Sequence, residues 1–117
     1  MPPSTLAEIE REFGPDARDV NGLRLLPAFR TLALLDRCKG AGVRVSVETF
    51  RIHPGGGVEP AMRYSDPTPE AVAEHGSHGA VRSLVVDGAV AGYEWNEVWI
   101  GGGSTGEGFR IGDGTAA

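Results

Sequence analysis

The spacing of apolar residues changes near residue 43, and no other feature of the chain constrains the fold as strongly. Before this point, apolar side chains recur every three or four residues, as in amphipathic helices. After it, Val43, Val45 and Val47 alternate with polar residues, which is typical of a strand with one buried face. The chain must therefore combine helices with a sheet, and its 117 residues fit one such domain.

Two helices are predicted before the change of period. Thr5 followed by Glu8 is a capping-box signature, and apolar residues at helical spacing continue to Phe13. Pro27 is suited to the first turn of a second helix, which we expect to end near Gly40.

A first hairpin is predicted from residue 43 to residue 64, with its turn at residues 53–57. Large apolar residues move from odd to even positions beyond Glu48, which indicates either a bulge there or a strand covered on both faces. Pro60 lacks an amide proton, so the returning strand should lie at a sheet edge.

A short helix and a second hairpin are predicted next. Thr68-Pro69-Glu70 favours a helix start, and Gly76 should end that helix early. Residues 81–86 and 89–100 are expected to pair through a tight turn at Asp87-Gly88.

This order of elements predicts an α+β fold, with an antiparallel sheet of about four strands and two to three helices packed on one face. We expect residues 1–100 to form a single domain. Residues 101–117 contain seven of the eighteen glycines and few large apolar side chains. They would lose much entropy on ordering, so we expect a flexible tail.

Charge narrows the classes of partner. Residues 1–52 carry eight basic and seven acidic side chains, whereas residues 53–117 carry three basic and nine acidic ones, a net charge of −6. Nucleic acids and anionic membranes need clustered cations, so we expect neither as a partner. A charged partner of the second half should be cationic.

Cys38 is the single cysteine, which excludes an internal disulfide, and no export signal is visible, so a cytoplasmic location is expected.

An aromatic stripe is the strongest candidate for a binding site. Tyr93, Trp95 and Trp99 alternate along the last predicted strand, with Glu94 and Glu97 among them. The stripe is either the core face of the sheet, covered by helices, or a recognition surface with an acidic rim. The sequence leaves both interpretations open.

Histidines provide an alternative. His75 and His78 are three residues apart, Glu74 precedes them, and His53 could join only through the fold. Such a set could hold a metal or take part in catalysis, although the glycines around it argue for an ordinary solvated loop. Residues 101–106 match GxGxxG literally, but no helix or acidic residue follows as nucleotide binding requires. No cofactor is predicted.

The leading hypothesis is a small, acidic, soluble protein-binding module that inhibits or regulates a cationic protein through Tyr93, Glu94, Trp95, Glu97 and Trp99. The alternative is a small enzyme or a ligand- or metal-binding domain that uses His53, His75, His78 and nearby carboxylates. The sequence does not decide whether the protein is an enzyme, and it leaves the oligomeric state open.

Overall fold

The computed structural model describes residues 3–61, 67–102 and 107–113. Within them the chain forms three helices, six strands and one 3-10 turn at Gly14–Asp16. The helices are α1 (Pro3–Phe13), α2 (Ala28–Ala41) and α3 (Pro69–Val90). The strands are β1 (Arg18–Val20), β2 (Leu23–Pro27), β3 (Val45–Ile52), β4 (Val58–Pro60), β5 (Trp95–Gly102) and β6 (Glu107–Arg110).

The strands form one antiparallel sheet with β5 at its centre. The order is β1-β2-β5-β3-β4, and β6 pairs with the second half of β5, beyond the segment that pairs with β2. The register between β3 and β5 runs without interruption from Val45↔Ile100 to Phe50↔Trp95. This register fixes which side chains share a face of the sheet.

The main core lies between the sheet and the helices. Val98 and Ile100 of β5 point to this side and are fully buried. Residues of all three helices join them in one cluster, among them Ile9, Phe13, Leu34, Leu35, Cys38, Val81 and Val85. We call the opposite side of the sheet the helix-free face; in the described residues it carries a smaller cluster of Val20, Leu25 and Phe50.

The predicted fold class is confirmed: the protein is α+β, with an antiparallel sheet and its helices on one face. The described part of the sheet has six strands, however, where about four were expected. Three strands, β1, β2 and β6, come from segments for which no strand was predicted, whereas residues 81–86, expected as a strand, are helical.

The predicted hairpin around Asp87-Gly88 was wrong. Residues 81–90 continue α3, and Val81 and Val85 are buried one helical turn apart. Gly76 does not end this helix but kinks it, with φ 78° and ψ 168°. Asp87-Gly88 is a turn signal in sequence, but the apolar residues around it also have helical spacing, and burial of that helical face stabilises the helix.

Asn21-Gly22 forms a hairpin turn between α1 and α2, where no strand was predicted. Both residues have positive φ, 53° and 85°, as a tight type I′ turn requires. The turn joins β1 to β2, and β2 then pairs with β5. This turn was a readable signal for a strand pair.

Part of the segment that was expected to be a tail belongs to the sheet and the core. Residues 107–110 pair with β5, and Ile111 is 1% exposed within the main core. The amide of Gly112 donates to both carboxylate oxygens of Glu10, at 3.2 and 3.1 Å. The folded domain therefore extends past residue 100; residues 103–106 and 114–117 lie outside the described residues.

The strand β3 is apolar on both faces rather than bulged. Val45 and Val47 face the helices, whereas Phe50 faces the helix-free side. Pro60 lies in β4 at the edge of the described sheet, as predicted. Among the described residues, no helix combines the length and apolar character needed to cross a membrane.

Candidate functional site

Among the described residues, Trp99 is the most exposed large aromatic side chain on the helix-free face. It lies in β5, the central strand, and 42% of its surface is accessible. Its neighbours in sequence, Val98 and Ile100, point to the other side and are buried under the helices. The strand alternation that buries these two residues therefore places the indole of Trp99 toward solvent.

Trp95 is on the same face but has a different environment. It packs against the small cluster around Val20, Leu25 and Phe50 and is partly buried. The guanidinium of Arg18 lies over its ring, 5.7 Å from the centroid. One tryptophan of the predicted stripe thus contributes to packing, and the other is presented to solvent.

Glu97 lies between the two tryptophans and is buried. Its Oε1 accepts the indole N–H of Trp99 at 3.3 Å, and its Oε2 accepts a hydrogen bond from Nη1 of Arg110 at 3.1 Å. A buried carboxylate needs such partners, because desolvation without them is costly. Glu97 therefore fixes the indole and does not offer a free carboxylate to solvent.

Each of the three guanidinium nitrogens of Arg110 has at least one partner. Its Nε and Nη2 donate to Oδ1 of Asp113 at 3.0 and 2.8 Å, and its Nη1 also reaches the carbonyl of Gly22 at 3.4 Å. Hydrogen bonds with Asp113, and secondarily with Glu97, raise the pKa of the guanidinium above its ordinary value. The network joins β6 to the Asn21-Gly22 turn, and its Arg110 is the register partner of Trp99.

Two side chains of β3 complete the surroundings of Trp99. Ser46 is directly opposite Trp99 in the register and is exposed, and Glu48 is directly opposite Glu97. Glu48 is partly buried, and among the described residues no hydrogen bond or ion pair involves its side chain. The face thus presents a small residue and an uncompensated carboxylate beside the indole.

Tyr93 and Glu94 precede β5 and lie outside the surface around Trp99. The hydroxyl of Tyr93 donates to Oε2 of Glu59 at 2.9 Å, and the guanidinium of Arg51 lies 4.4 Å from its ring centroid. Arg51 and Glu59 are register partners on the side opposite Trp95. Glu94 is exposed, and its carbonyl accepts the amide of Ala28 at the start of α2.

His53 belongs to the Tyr93 cluster. Its Nε2 lies 3.0 Å from Oε1 of Glu59, so one carboxylate joins the imidazole and the phenol. The hydrogen bond from Tyr93, followed by the one from His53, lowers the pKa of Glu59 below its ordinary value. The group sits at the turn end of the β3–β4 hairpin, where the amide of His53 donates to the carbonyl of Gly57.

The other histidines lie elsewhere. Nε2 of His78 is 2.6 Å from the carbonyl of Val43, just before β3, whereas His53 follows the far end of that strand. His75 lies 3.7 Å from Glu74, and the kink at Gly76 separates it from His78. In residues 3–61, 67–102 and 107–113, no three His, Cys, Asp or Glu side chains are grouped so as to hold a metal ion.

Sequence reasoning missed Arg110, Asp113 and Glu48 as members of the site. Arg110 and Asp113 were assigned to a tail, and only their pairing beside β5 brings them to Glu97. Glu48 could have been placed by the alternation along its strand, since it shares parity with Ser46. The positions of Arg110 and Asp113 beside Glu97, in contrast, depend on strand order, which no local pattern encodes.

No family model, curated protein or solved structure matches the chain.

Proposed function

We propose that this protein is a protein-binding module, acting as an inhibitory or regulatory partner, that holds a cationic protein against the helix-free face around Trp99. The half-exposed indole, with its N–H already bonded to Glu97, is the observation that carries this proposal. An anchor that is oriented before docking loses little side-chain entropy when the partner arrives. Aromatic residues of this kind dominate the energetics of many interfaces.

Charge supports a cationic partner. Residues 53–117 have a net charge of −6, and the field of such a segment accelerates association with a positive surface. Glu48 is the carboxylate beside Trp99 that lacks an ion pair within the described residues. The setting we propose is the cytoplasm, where the buried, unpaired Cys38 stays reduced.

Affinity capture from the source cell tests the proposal, with the tagged full chain as bait and a Trp99→Ser variant beside it. Phe29→Ser is the matched control, because Phe29 is 71% exposed at the start of α2, on the helical side of the sheet. We expect one protein to be recovered with the wild type and with Phe29→Ser and to be depleted with Trp99→Ser.

The recovered protein should then be purified and titrated against each variant. An anchor residue contributes about 2 kcal/mol or more, so Trp99→Ser should weaken binding by about 30-fold. Equal affinity of the wild type and Trp99→Ser, with both folded by circular dichroism, would contradict the proposal.

The alternative function, an enzyme or metal-binding domain that uses His53, His75, His78 and Glu74, stays a prediction. Elemental analysis of the purified protein tests it directly. A stoichiometric transition metal that is lost in His75→Ala or His78→Ala would favour this function over protein binding.

A further inference from the structure

The surface beside Trp99 contains a charge that the fold leaves uncompensated. Glu48 and Glu97 are opposite each other across β3 and β5, and like charges in this arrangement are unfavourable. Arg110 and the indole of Trp99 satisfy Glu97. Nη1 and Nη2 of Arg110 already donate to Gly22, Glu97 and Asp113. No described residue bonds to the side chain of Glu48. A cation from outside the chain would therefore be stabilised at Glu48.

The indole of Trp99 is also uncovered. Elsewhere in the chain, Arg18, Arg30 and Arg51 place their guanidinium groups over the rings of Trp95, Phe13 and Tyr93, 5.7, 4.6 and 4.4 Å from the centroids. Within the described residues, no cation lies over Trp99 in this way. The nearest precedent, Arg18 on Trp95, is on the same face of the same sheet.

The spacing of these residues suits one planar cation. Ser46 is directly opposite Trp99, and Glu48 follows two residues later along β3, so Glu48 and Trp99 are diagonal neighbours. Side chains in this relation are about 7 Å apart at Cβ, within reach of a shared group. Ser46, which is opposite Trp99 and on the same face as Glu48, is small and exposed.

Resting on the function proposed above, we propose that an arginine side chain of the partner protein binds here. Its guanidinium stacks on the Trp99 ring and donates to the Glu48 carboxylate. Arginine fits better than lysine, because a planar fork stacks on an aromatic face and pairs with a carboxylate at once. The partner is thus a protein with an exposed arginine in a cationic segment.

Titration with N-acetyl-arginine methylamide tests this inference without the partner. The indole N–H resonance of Trp99 should shift saturably with the arginine amide and much less with the neutral citrulline amide. In Glu48→Gln the affinity should fall about threefold, as expected for a partly exposed ion pair. Glu94→Gln, which removes an exposed carboxylate outside the strand, is the matched control and should keep the wild-type affinity.

Two results would overturn the inference: equal shifts with arginine and citrulline amides, or unchanged arginine affinity in Glu48→Gln. Its failure is distinguishable from that of the proposed function. If binding of a partner protein depends on Trp99 but not on Glu48, the proposed function stands and the proposed arginine contact is wrong. Sedimentation equilibrium tests whether a second copy of the chain occupies this face instead. A dimer of the 12.3 kDa chain that dissociates in Trp99→Ser would assign the face to a second copy and overturn the inference.

Discussion

The indole N–H of Trp99 donates to the carboxylate of Glu97, two residues earlier on the same strand, at 3.3 Å. Because β5 alternates, both side chains lie on the helix-free face, one half-exposed and the other buried. The buried acid holds the exposed ring, and Arg110 compensates the acid. Mutations of the buried Glu97–Arg110 pair should therefore change mainly the stability of the fold, whereas mutation of Trp99 should change mainly the exposed surface of the candidate site.

The two tryptophans should differ in their contribution to stability. Trp95→Ala removes packing against the cluster around Phe50 and should lower the free energy of unfolding by about 2–3 kcal/mol. Trp99→Ala removes a half-exposed ring and should cost about 1 kcal/mol or less. Urea denaturation of the two single variants measures both values. A larger loss for Trp99→Ala than for Trp95→Ala would place Trp99 in the core.

Arg110→Met should leave Glu97 buried without its cation and should cost about 3 kcal/mol. The double variant Glu97→Gln/Arg110→Met removes both charges and should recover part of this loss. Arg82→Met is the matched control, because the Arg82–Asp36 pair is exposed and should contribute less than about 1 kcal/mol. Equal stability of Arg110→Met and Arg82→Met would show that the buried pair is not as described.

Ile111→Ala should destabilise the protein by about 2–4 kcal/mol, because this residue is buried in the main core. Val90→Ala serves as the control, since Val90 is 86% exposed and its truncation should be nearly neutral. Thermal unfolding followed by circular dichroism compares the two. A neutral Ile111→Ala would return residues 107–113 to the tail that their composition indicated.

Stability should depend on pH through Glu59, whose pKa is lowered by hydrogen bonds from Tyr93 and then His53. A carboxyl group with a lower pKa in the folded state stabilises the protein above its unfolded pKa, near 4.3, and loses this contribution as the pH falls through the folded pKa. The difference in Tm between the wild type and Glu59→Gln should thus be constant above about pH 5 and shrink below about pH 4. Tyr93→Phe should reduce the part that depends on pH; a pH-independent difference would contradict the assignment.

Cys38 should be inert toward thiol reagents in the folded protein. Burial, partly offset by Arg37, raises the pKa of its thiol to about 12. At pH 8 the thiolate is then rare, so modification should be on the order of a thousandfold slower than in the urea-unfolded chain. Ellman's reagent measures both rates. Rapid stoichiometric reaction without denaturant would show that the thiol is accessible.

Much of the fold was readable because local patterns agreed with it. The spacing of Ile9 and Phe13 predicted a helix, and alternation from Val45 to Val47 predicted a strand; both patterns describe sides that face the core. The hairpin predicted at Asp87-Gly88 was wrong because the same residues carry both a turn signal and a helical period. Burial of Val85 stabilises the helix there.

The sequence by itself determined the two element types, the α+β class and the alternation that sets Trp95, Glu97 and Trp99 on one face, because these follow from side-chain periods along the chain. Only the tertiary structure decided that this face is the one without helices, and that Arg110 and Asp113 return to stabilise Glu97. Strand order and ion pairing join residues that are distant along the chain. They are fixed by which surfaces exclude water and which buried charges find partners, and no short segment contains that information.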